Sequence, residues 1–133
     1  MLKPNLAVVA ALIEKDGSVL LCQRNPEDHY GGLWEFPGGA GEKGETQGQA
    51  IEREMKEELD IDVRALEKVK TFFDEDPGLK ITVFLYRCSI LSGTPSAKEC
   101  QAFGFFTFNQ MKKLSLAPVD AKIAQYLINS TKI

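Results

Sequence analysis

Residues 38–61, "GGAGEKGETQGQAIEREMKEELDI", contain the pattern from which the fold can be inferred. Their first part is rich in glycine, which lets a loop backbone pass close to a ligand. Thr46 and Gln49 have the spacing of a helix capping box, and apolar residues then recur at intervals of four, namely Ile51, Met55 and Leu59. The pattern predicts a glycine-rich loop that leads into a helix over residues 46–59.

The predicted helix carries three carboxylates on one side, and we refer to Glu54, Glu57 and Glu58 as the acidic patch. With about 100° of rotation per residue, the three side chains share an arc of about 100°. This arc adjoins the apolar stripe, so the patch is expected at the edge of the buried face. A hard divalent cation such as Mg²⁺ or Mn²⁺ prefers such a group of carboxylate oxygens.

A solvated surface helix with ion pairs is the simpler interpretation of the same charges. It explains two opposite-charge pairs at a spacing of four, Glu52 with Lys56 and Arg53 with Glu57. Glu54 and Glu58 are also four positions apart but carry like charges, which costs roughly 0.2–0.5 kcal/mol. The helix dipole also disfavours anions near the C-terminal end. The helix alone leaves both interpretations open, and the glycine-rich loop before it favours a ligand site.

Composition limits the class of protein. A chain of 133 residues with 44% hydrophobic residues predicts a single domain over residues 1–133. The net charge of -3 provides no basic surface for a nucleic-acid polymer, so a nucleotide partner should be small. Three cysteines in apolar stretches predict reduced thiols in a cytoplasmic protein. The longest apolar stretch, "NLAVVAALI", is too short for a membrane span and lacks signal-peptide features.

The remaining elements follow from alternation, turn residues and periodicity. Two β-rich runs, residues 6–14 and 18–24, flank the turn sequence "KDG" and predict a hairpin. A short strand is expected at "LWEF". After the helix, we predict strands at 63–74 and 79–91 around "EDPG", a strand at 101–108, a short helix at 109–114 and an amphipathic helix at 119–130. This order predicts an α/β protein with a mixed β-sheet covered by helices on both faces, a three-layer sandwich.

The spacing in residues 39–61, taken as a whole, closely resembles the Nudix box. Gly39 is followed after five residues by Glu45 and after seven more by "REMKEELDI". The one departure is Asp60, where the family has a glycine that ends the helix. The segments "LWEFPGG", "LAVVAALIEKDGSVLLCQR", "AKECQAFGFF" and "LAPVDAKI" resemble the MutT-like branch of the family. The resemblance therefore covers nearly the whole chain and implies the Nudix-type α/β/α sandwich.

The resemblance implies hydrolysis of a nucleoside diphosphate linked to a further group, with Mg²⁺ or Mn²⁺ as cofactor. In MutT-like members the substrate is usually a nucleoside triphosphate, which water cleaves to a nucleoside monophosphate and pyrophosphate. Carried over by position, the metal ligands are the acidic patch, a backbone carbonyl of Gly38, and Glu99 from a late loop. These carboxylates are also the expected catalytic groups, with Glu54 and Glu99 as candidates for the general base. Structural roles within the motif are implied for Gly39, Glu45 and Arg53.

The resemblance also implies a nucleoside pocket. The residues that match its positions are Arg24, His29, Glu35, Phe36, Pro37, Gly38 and Asp120. Each has a simpler alternative: Arg24 as a charge at a strand end, His29 as a loop residue without a role, and Phe36 as part of the core. The carboxylate of Asp120 is expected either to bind a base edge or only to interact with a helix dipole. Trp34 is expected to be structural.

The leading functional hypothesis is an enzyme that removes damaged nucleotides such as 8-oxo-dGTP and so contributes to DNA repair and nucleotide pool sanitation. The segment "LAPVD" resembles the cytidine triphosphate pyrophosphohydrolases, so (d)CTP or a modified pyrimidine nucleotide is the alternative substrate. Hydrolysis of ADP-ribose or dinucleoside polyphosphates is less favoured, because no long insertion is present to bind a second moiety. Retention of the acidic patch disfavours a non-catalytic nucleotide-binding module. The oligomeric state, monomer or homodimer, is open.

Overall fold

The structure, a computed structural model, describes residues 3–130. This part of the chain contains eight strands and three helices. In chain order they are β1 (Asn5–Leu12), β2 (Glu14–Lys15), β3 (Ser18–Gln23), β4 (Trp34–Glu35), β5 (Gly38–Ala40), α1 (Gln47–Leu59), β6 (Asp62–Asp76), β7 (Leu79–Ser92), β8 (Ala102–Phe106), α2 (Phe108–Met111) and α3 (Pro118–Ser130).

The strands form two four-stranded sheets. The first has the order β5-β1-β7-β6, and β1 runs parallel to β7 while its other neighbour, β5, is antiparallel. In the second sheet β3 pairs antiparallel with β2, β4 and β8. The first sheet is therefore mixed, as predicted. The predicted second hairpin is also confirmed, because β6 and β7 pair antiparallel around residues 77 and 78.

The predicted hairpin of residues 6–14 with residues 18–24 is wrong over most of its length. Only β2 turns back onto β3, where Lys15 pairs with Ser18 across Asp16 and Gly17, which both have positive φ. The longer strand β1 instead pairs along its whole length with β7. The turn signal was local and correct. The partner of β1 is a strand about 75 residues further along the chain, and a short-range sequence pattern cannot predict a pairing over that separation.

Two hydrophobic clusters lie on opposite faces of the sheets. Val9 belongs to the cluster that includes Met55 of α1, and the next residue, Ala10, belongs to the cluster that includes Ile123 of α3. The residues of β3 alternate in the same way. Both strands are buried on both faces, which explains why their sequences are nearly continuous apolar runs. The sheets therefore lie between α1 on one side and α3 on the other, as the three-layer prediction requires.

The ends of α1 follow the local sequence. Thr46 is the N-cap: its hydroxyl accepts a bond from the Gln49 N–H at 3.1 Å, and its own N–H donates to the Gln49 side chain at 2.9 Å. At the other end Asp60 adopts the left-handed conformation, with φ 56° and ψ 41°, and its N–H donates to the Lys56 carbonyl at 3.1 Å. Aspartate enters this region more readily than most residues. The cap is therefore formed without the family glycine.

Two further observations concern the expected cellular setting. Cys22, Cys88 and Cys100 are free thiols, and the first two are buried. Within residues 3–130 there is no helix with the length and apolar character that crossing a membrane requires.

Candidate active site

Two glycines bring the loop before α1 close to its surroundings. Gly38 and Gly39 lie in β5, opposite Ala10 and Val9 of β1. A Cβ atom on Gly38 would lie 1.9 Å from the Val9 carbonyl oxygen, and one on Gly39 would lie 2.7 Å from the Glu54 carboxyl group. At Gly38 the contact is with backbone, so only glycine fits; at Gly39 a larger residue would displace the Glu54 carboxyl group. The backbone of β5 is thus held directly against the first carboxylate of the acidic patch.

Arg53 ties the glycine-rich loop to α1. Its Nε donates to Oε2 of Glu45 at 2.8 Å and its Nη2 to Oε1 at 3.1 Å, a bidentate pair. The same Nη2 donates to the Ala40 carbonyl at 3.1 Å. The Glu45 carboxylate also accepts the Glu42 N–H at 2.7 Å, and the Arg53 bond is the main reason that the Glu45 pKa lies below its usual value. This geometry supports the structural role predicted for both residues.

Arg53 also contacts two members of the acidic patch. Its Nη1 donates to Glu54 at 3.1 Å and to Glu57 at 2.9 Å. The Arg53–Glu57 pair was predicted from the spacing, but the contact with Glu54 was not. Arg53 is therefore a cationic partner for two of the three carboxylates. Adjacent residues of a helix do not normally face each other. Arg53 reaches Glu54 because Glu45 and the Ala40 carbonyl hold its guanidinium in place.

The predicted pair of Glu52 with Lys56 is wrong. Lys56 instead lies 3.4 Å from Asp60, and Glu52 accepts the Ala65 N–H of β6 at 3.1 Å. Lysine turns toward the helix C-terminus, where its charge also interacts favourably with the helix dipole. Glu52 thereby fixes α1 to the neighbouring strand and takes no part in the acidic patch.

The two inner carboxylates of the patch are in an environment that disfavours their negative charge. Glu58 is buried, and burial raises its pKa to about 9, with further contributions from the charges of Glu35, Cys100 and Glu54. Burial also raises the pKa of the half-buried Glu54; Arg53 opposes this increase, whereas Glu57 and Glu99 add to it. A bound cation would favour the ionised form of both carboxylates and so lower their pKa values.

The segment that contains Glu99 docks on the C-terminal end of α1. The Lys98 N–H donates to the Glu58 carbonyl at 3.0 Å, and the Ser96 N–H donates to the Leu59 carbonyl at 2.9 Å. These bonds satisfy carbonyl groups that the end of a helix leaves without a partner. The charge of Glu99 is close enough to Glu54 to contribute to the raised pKa of that carboxyl group. The fold thus brings together carboxylates that are 41 to 45 positions apart in sequence.

The donor set suits a divalent cation by chemistry. Carboxylate oxygens and the nearby backbone of Gly38 are ligands of the type that Mg²⁺ and Mn²⁺ prefer. Within residues 3–130, however, no group of three or more acidic, histidine or cysteine side chains is arranged as a ready-made metal site. Two patch carboxylates contact Arg53, so they would have to exchange part of that contact for the ion. The donor chemistry of these residues therefore fits a divalent metal ion.

A cavity of about 340 Å³ lies beside the acidic patch, between the first sheet and the start of α3. Six of the seven residues predicted for a nucleoside pocket line it, namely Arg24, His29, Glu35, Phe36, Gly38 and Asp120. Pro37 does not line it; its carbonyl accepts the Ala11 N–H at 2.9 Å. Gly39 lines the cavity and also lies against Glu54 of the acidic patch. The cavity and the patch therefore meet at β5.

Sequence analysis missed several residues of the cavity wall. Tyr30 and Asp74 line the cavity. So do apolar residues at alternate positions of β1 and β7, namely Leu6, Val8, Ala10, Leu79, Ile81 and Val83. The alternation of apolar and polar residues in the first part of β7 was visible in the sequence. It could not identify a cavity, because the parallel pairing of β1 with β7 was not predicted.

Polar groups occupy one end of this cavity. Asp120 is buried, its Oδ1 accepts the Phe36 N–H at 2.9 Å, and burial together with the charge of Glu35 raises its pKa to about 8. Glu35 accepts a bond from Arg24 at 2.9 Å, and burial raises its pKa despite this pairing. The burial of Asp120 and its place in the cavity wall favour a ligand contact over a simple interaction with the helix dipole. Trp34 packs edge-on against Phe106, as expected of a structural residue.

Comparisons with known proteins agree with this geometry. The family model described as NUDIX domain matches residues 3–127. A CTP pyrophosphohydrolase of Escherichia coli (strain K12) is 38% identical over 120 residues, which cover 90% of this chain and 89% of that protein. An 8-oxo-dGTP diphosphatase of Haemophilus influenzae is 31% identical over 130 residues, covering 97% and 96%. The solution structure of the E. coli ORF135 protein has a TM-score of 0.81 at 35% identity, covering 96% of this chain and 91% of that chain.

The chain therefore belongs to the NUDIX family, and the resemblance inferred from its sequence is confirmed. The α/β sandwich with a mixed sheet is the fold of this family. Within it, the protein is a MutT-like Nudix hydrolase, an enzyme class that acts on phosphoric anhydride bonds with the help of divalent metal ions.

Proposed function

We propose that this protein hydrolyses a nucleoside triphosphate to a nucleoside monophosphate and pyrophosphate, with Mg²⁺ or Mn²⁺ as cofactor. The single observation that supports this most directly is the junction at β5. There a cavity large enough for a base meets a group of carboxylates suited to a cation. A nucleotide placed across this junction would have its base in the cavity and its phosphates beside the acidic patch.

Each residue then has a proposed role. The carboxylates of Glu54, Glu57, Glu58 and Glu99 and the backbone of Gly38 would hold the cation, which neutralises the phosphates and makes bound water more acidic. Glu54 and Glu99 are the candidates for accepting the proton of the attacking water. Because Arg53 contacts both the loop and the patch, it would hold the metal-binding carboxylates in position.

Two substrate classes follow from the relatives. The Haemophilus influenzae relative named 8-oxo-dGTP diphosphatase supports an oxidised purine nucleotide, the leading proposal. The E. coli relative named CTP pyrophosphohydrolase supports CTP, dCTP or a modified pyrimidine nucleotide. In either case Arg24, His29, Glu35, Phe36 and Asp120 are proposed to contact the nucleoside. A cavity of about 340 Å³ fits one nucleoside better than the two moieties of ADP-ribose or a dinucleoside polyphosphate.

The proposed physiological role is nucleotide pool sanitation in the cytoplasm, which protects DNA from damaged precursors. The three free thiols are in keeping with a reducing compartment. No contact with a nucleic-acid polymer is proposed, because the net charge of -3 is unfavourable for binding a phosphate backbone.

A substrate panel tests the proposal. Pyrophosphate release is measured with 8-oxo-dGTP, the normal triphosphates, ADP-ribose and diadenosine polyphosphates, with Mg²⁺, with Mn²⁺ and with excess chelator. We expect pyrophosphate and a nucleoside monophosphate from one triphosphate class, and loss of turnover with chelator. A sugar phosphate or a second nucleotide as product would contradict it. Nucleotide binding in calorimetry without metal dependence or turnover would indicate a binding module.

A further inference from the structure

One carboxylate joins two segments of the cavity wall that lie far apart in the sequence. The Tyr30 hydroxyl donates to Oδ2 of Asp76 at 3.2 Å, across 46 positions of the chain. Nε2 of His29 lies 3.4 Å from the same oxygen. The other oxygen of Asp76, Oδ1, accepts the Gly78 N–H at 3.0 Å. Asp76 is thus fixed by its own turn and presents its free oxygen to the loop opposite.

Asp76 lies just outside the cavity. On one side, His29 and Tyr30 line the cavity from the loop between β3 and β4. On the other side, Asp74 and Leu79 line it from the β6–β7 hairpin, and Asp76 occupies the end of β6 between them without lining it. Asp76 therefore does not line the cavity itself, and its side chain reaches the opposite wall through His29 and Tyr30.

The loop between β3 and β4 depends on such contacts for its conformation. Tyr30 has a φ of 58°, a left-handed conformation that is unfavourable for a bulky residue. Its ring lies 3.9 Å from the His29 ring, and its carbonyl accepts the Leu33 N–H at 3.2 Å. A strained residue of this kind persists where surrounding interactions hold it. The Asp76 contact is the one that reaches it from the opposite wall.

We propose that Asp76 is a positioning residue for nucleotide binding, which tethers the loop of His29 and Tyr30 to the β6–β7 hairpin and so keeps the nucleoside pocket closed on one side. The inference rests on the proposed function of the cavity. The hydrogen bonds described for Asp76 involve its own turn and the loop of His29 and Tyr30, and none involves the acidic patch, so their loss should weaken binding of the nucleoside and leave the hydrolysis step unchanged. In kinetic terms KM rises and kcat does not.

Steady-state kinetics on CTP and 8-oxo-dGTP with Mg²⁺ test this split. Asp76→Ala should raise KM about tenfold, the effect of losing one good interaction, with kcat within about twofold of wild type. Tyr30→Phe removes only the bond across the pocket and leaves the turn at Gly78 intact, so it should raise KM by a smaller factor. The matched control is Glu75→Gln, the adjacent residue, which pairs with Lys3 and should leave both constants unchanged.

A double variant separates the tether from damage to the turn. If Asp76 acts through Tyr30, then Asp76→Ala combined with Tyr30→Phe should have nearly the same KM as Asp76→Ala alone. Asp76→Asn keeps one oxygen for the Gly78 N–H and places an NH2 group beside the Tyr30 hydroxyl, which can accept from it, so this variant should recover part of the loss. Fully additive effects in the double variant, or a fall in kcat at unchanged KM, would overturn the proposal.

Hydrogen exchange provides a result that does not depend on activity. Amide exchange of peptides covering residues 25–33 should be faster in Asp76→Ala and Tyr30→Phe than in wild type or Glu75→Gln. Unchanged exchange in both variants would show that no tether exists, whatever the enzyme hydrolyses. If the wild-type protein hydrolyses no nucleotide while exchange rises as expected, the tether is present and the proposed function is what fails.

Discussion

The acidic patch and the nucleoside pocket lie side by side but are built in different ways. The acidic patch lies on α1, next to the loop that precedes this helix. Arg53 links the two, because it contacts Glu45 of the loop and two carboxylates of the patch. The pocket draws its wall from β1, β7, the loop between β3 and β4, and α3, and most of that wall is apolar. A local motif thus supplies the general chemistry, whereas distant segments supply recognition. Relatives can share the first and differ in the second.

The largest expected effect tests the patch side of this comparison. Glu57→Gln removes a proposed metal ligand, so kcat should fall by roughly 10²-fold or more, and by a similar factor for every nucleotide that the enzyme hydrolyses. The fold should remain intact, because Glu57 is exposed. The matched control is Glu52→Gln, on the same helix outside the patch, with near-normal kcat. A Glu57→Gln enzyme of full rate would remove the acidic patch from the mechanism.

The pocket side should respond differently, by changing the order of substrates. Asp120→Ala removes a carboxyl group that is proposed to contact the nucleoside, and it leaves the buried Phe36 N–H without its acceptor, which costs about 1–3 kcal/mol. We expect kcat/KM to fall most for the best substrate and least for poor ones. Asp120→Asn keeps an acceptor for the Phe36 N–H and controls for the loss of that bond. Equal losses across all nucleotides would place Asp120 outside base recognition.

The pocket also predicts a pH dependence of stability. The pKa of Asp120 is raised to about 8 in the folded protein, above the value of about 3.9 in an unfolded chain. The folded state therefore holds a proton that the unfolded state has lost, and stability should fall as pH rises from about 4 to about 8. The slope cannot exceed about 1.4 kcal/mol per pH unit for one proton.

Asp120→Asn isolates this effect, because an amide does not titrate. Urea unfolding at several pH values should show that the variant gains stability relative to wild type as pH rises through this window. The difference between the two proteins cancels contributions from other buried acids such as Glu58. Parallel pH profiles would mean that Asp120 is ionised in the folded protein.

The smallest effect concerns the end of the patch helix. Asp60→Gly restores the glycine of the family pattern at a left-handed position, which should relieve steric strain of up to about 1–2 kcal/mol. The substitution also removes a surface pair with Lys56, worth about 0–1 kcal/mol. We expect a net gain of about 0.5 kcal/mol in the free energy of unfolding with unchanged substrate order. A loss of stability would show that Asp60 is stabilised locally more than its backbone conformation costs.

Sequence patterns predicted the elements with local causes well. The capping box of Thr46 and Gln49, the periodic apolar residues of α1 and the β6–β7 hairpin all depend on residues close in sequence. The errors concern partners. The strand β1 pairs with β7 rather than β3, and Lys56 and Glu52 each choose partners outside the predicted pair. Short-range patterns specify conformation, whereas a choice between several possible partners depends on the assembled fold.

The sequence by itself determined that α1 carries a Nudix box with its carboxylates on one side, because helical geometry converts fixed spacing into fixed direction. Only the tertiary structure decided that Arg53 contacts two of those carboxylates, that Glu99 joins them from a distant loop, and that Asp120 is buried in the wall of a cavity. These features depend on contacts between segments far apart in the chain. Their charge states also depend on burial, which no position has until the chain has folded.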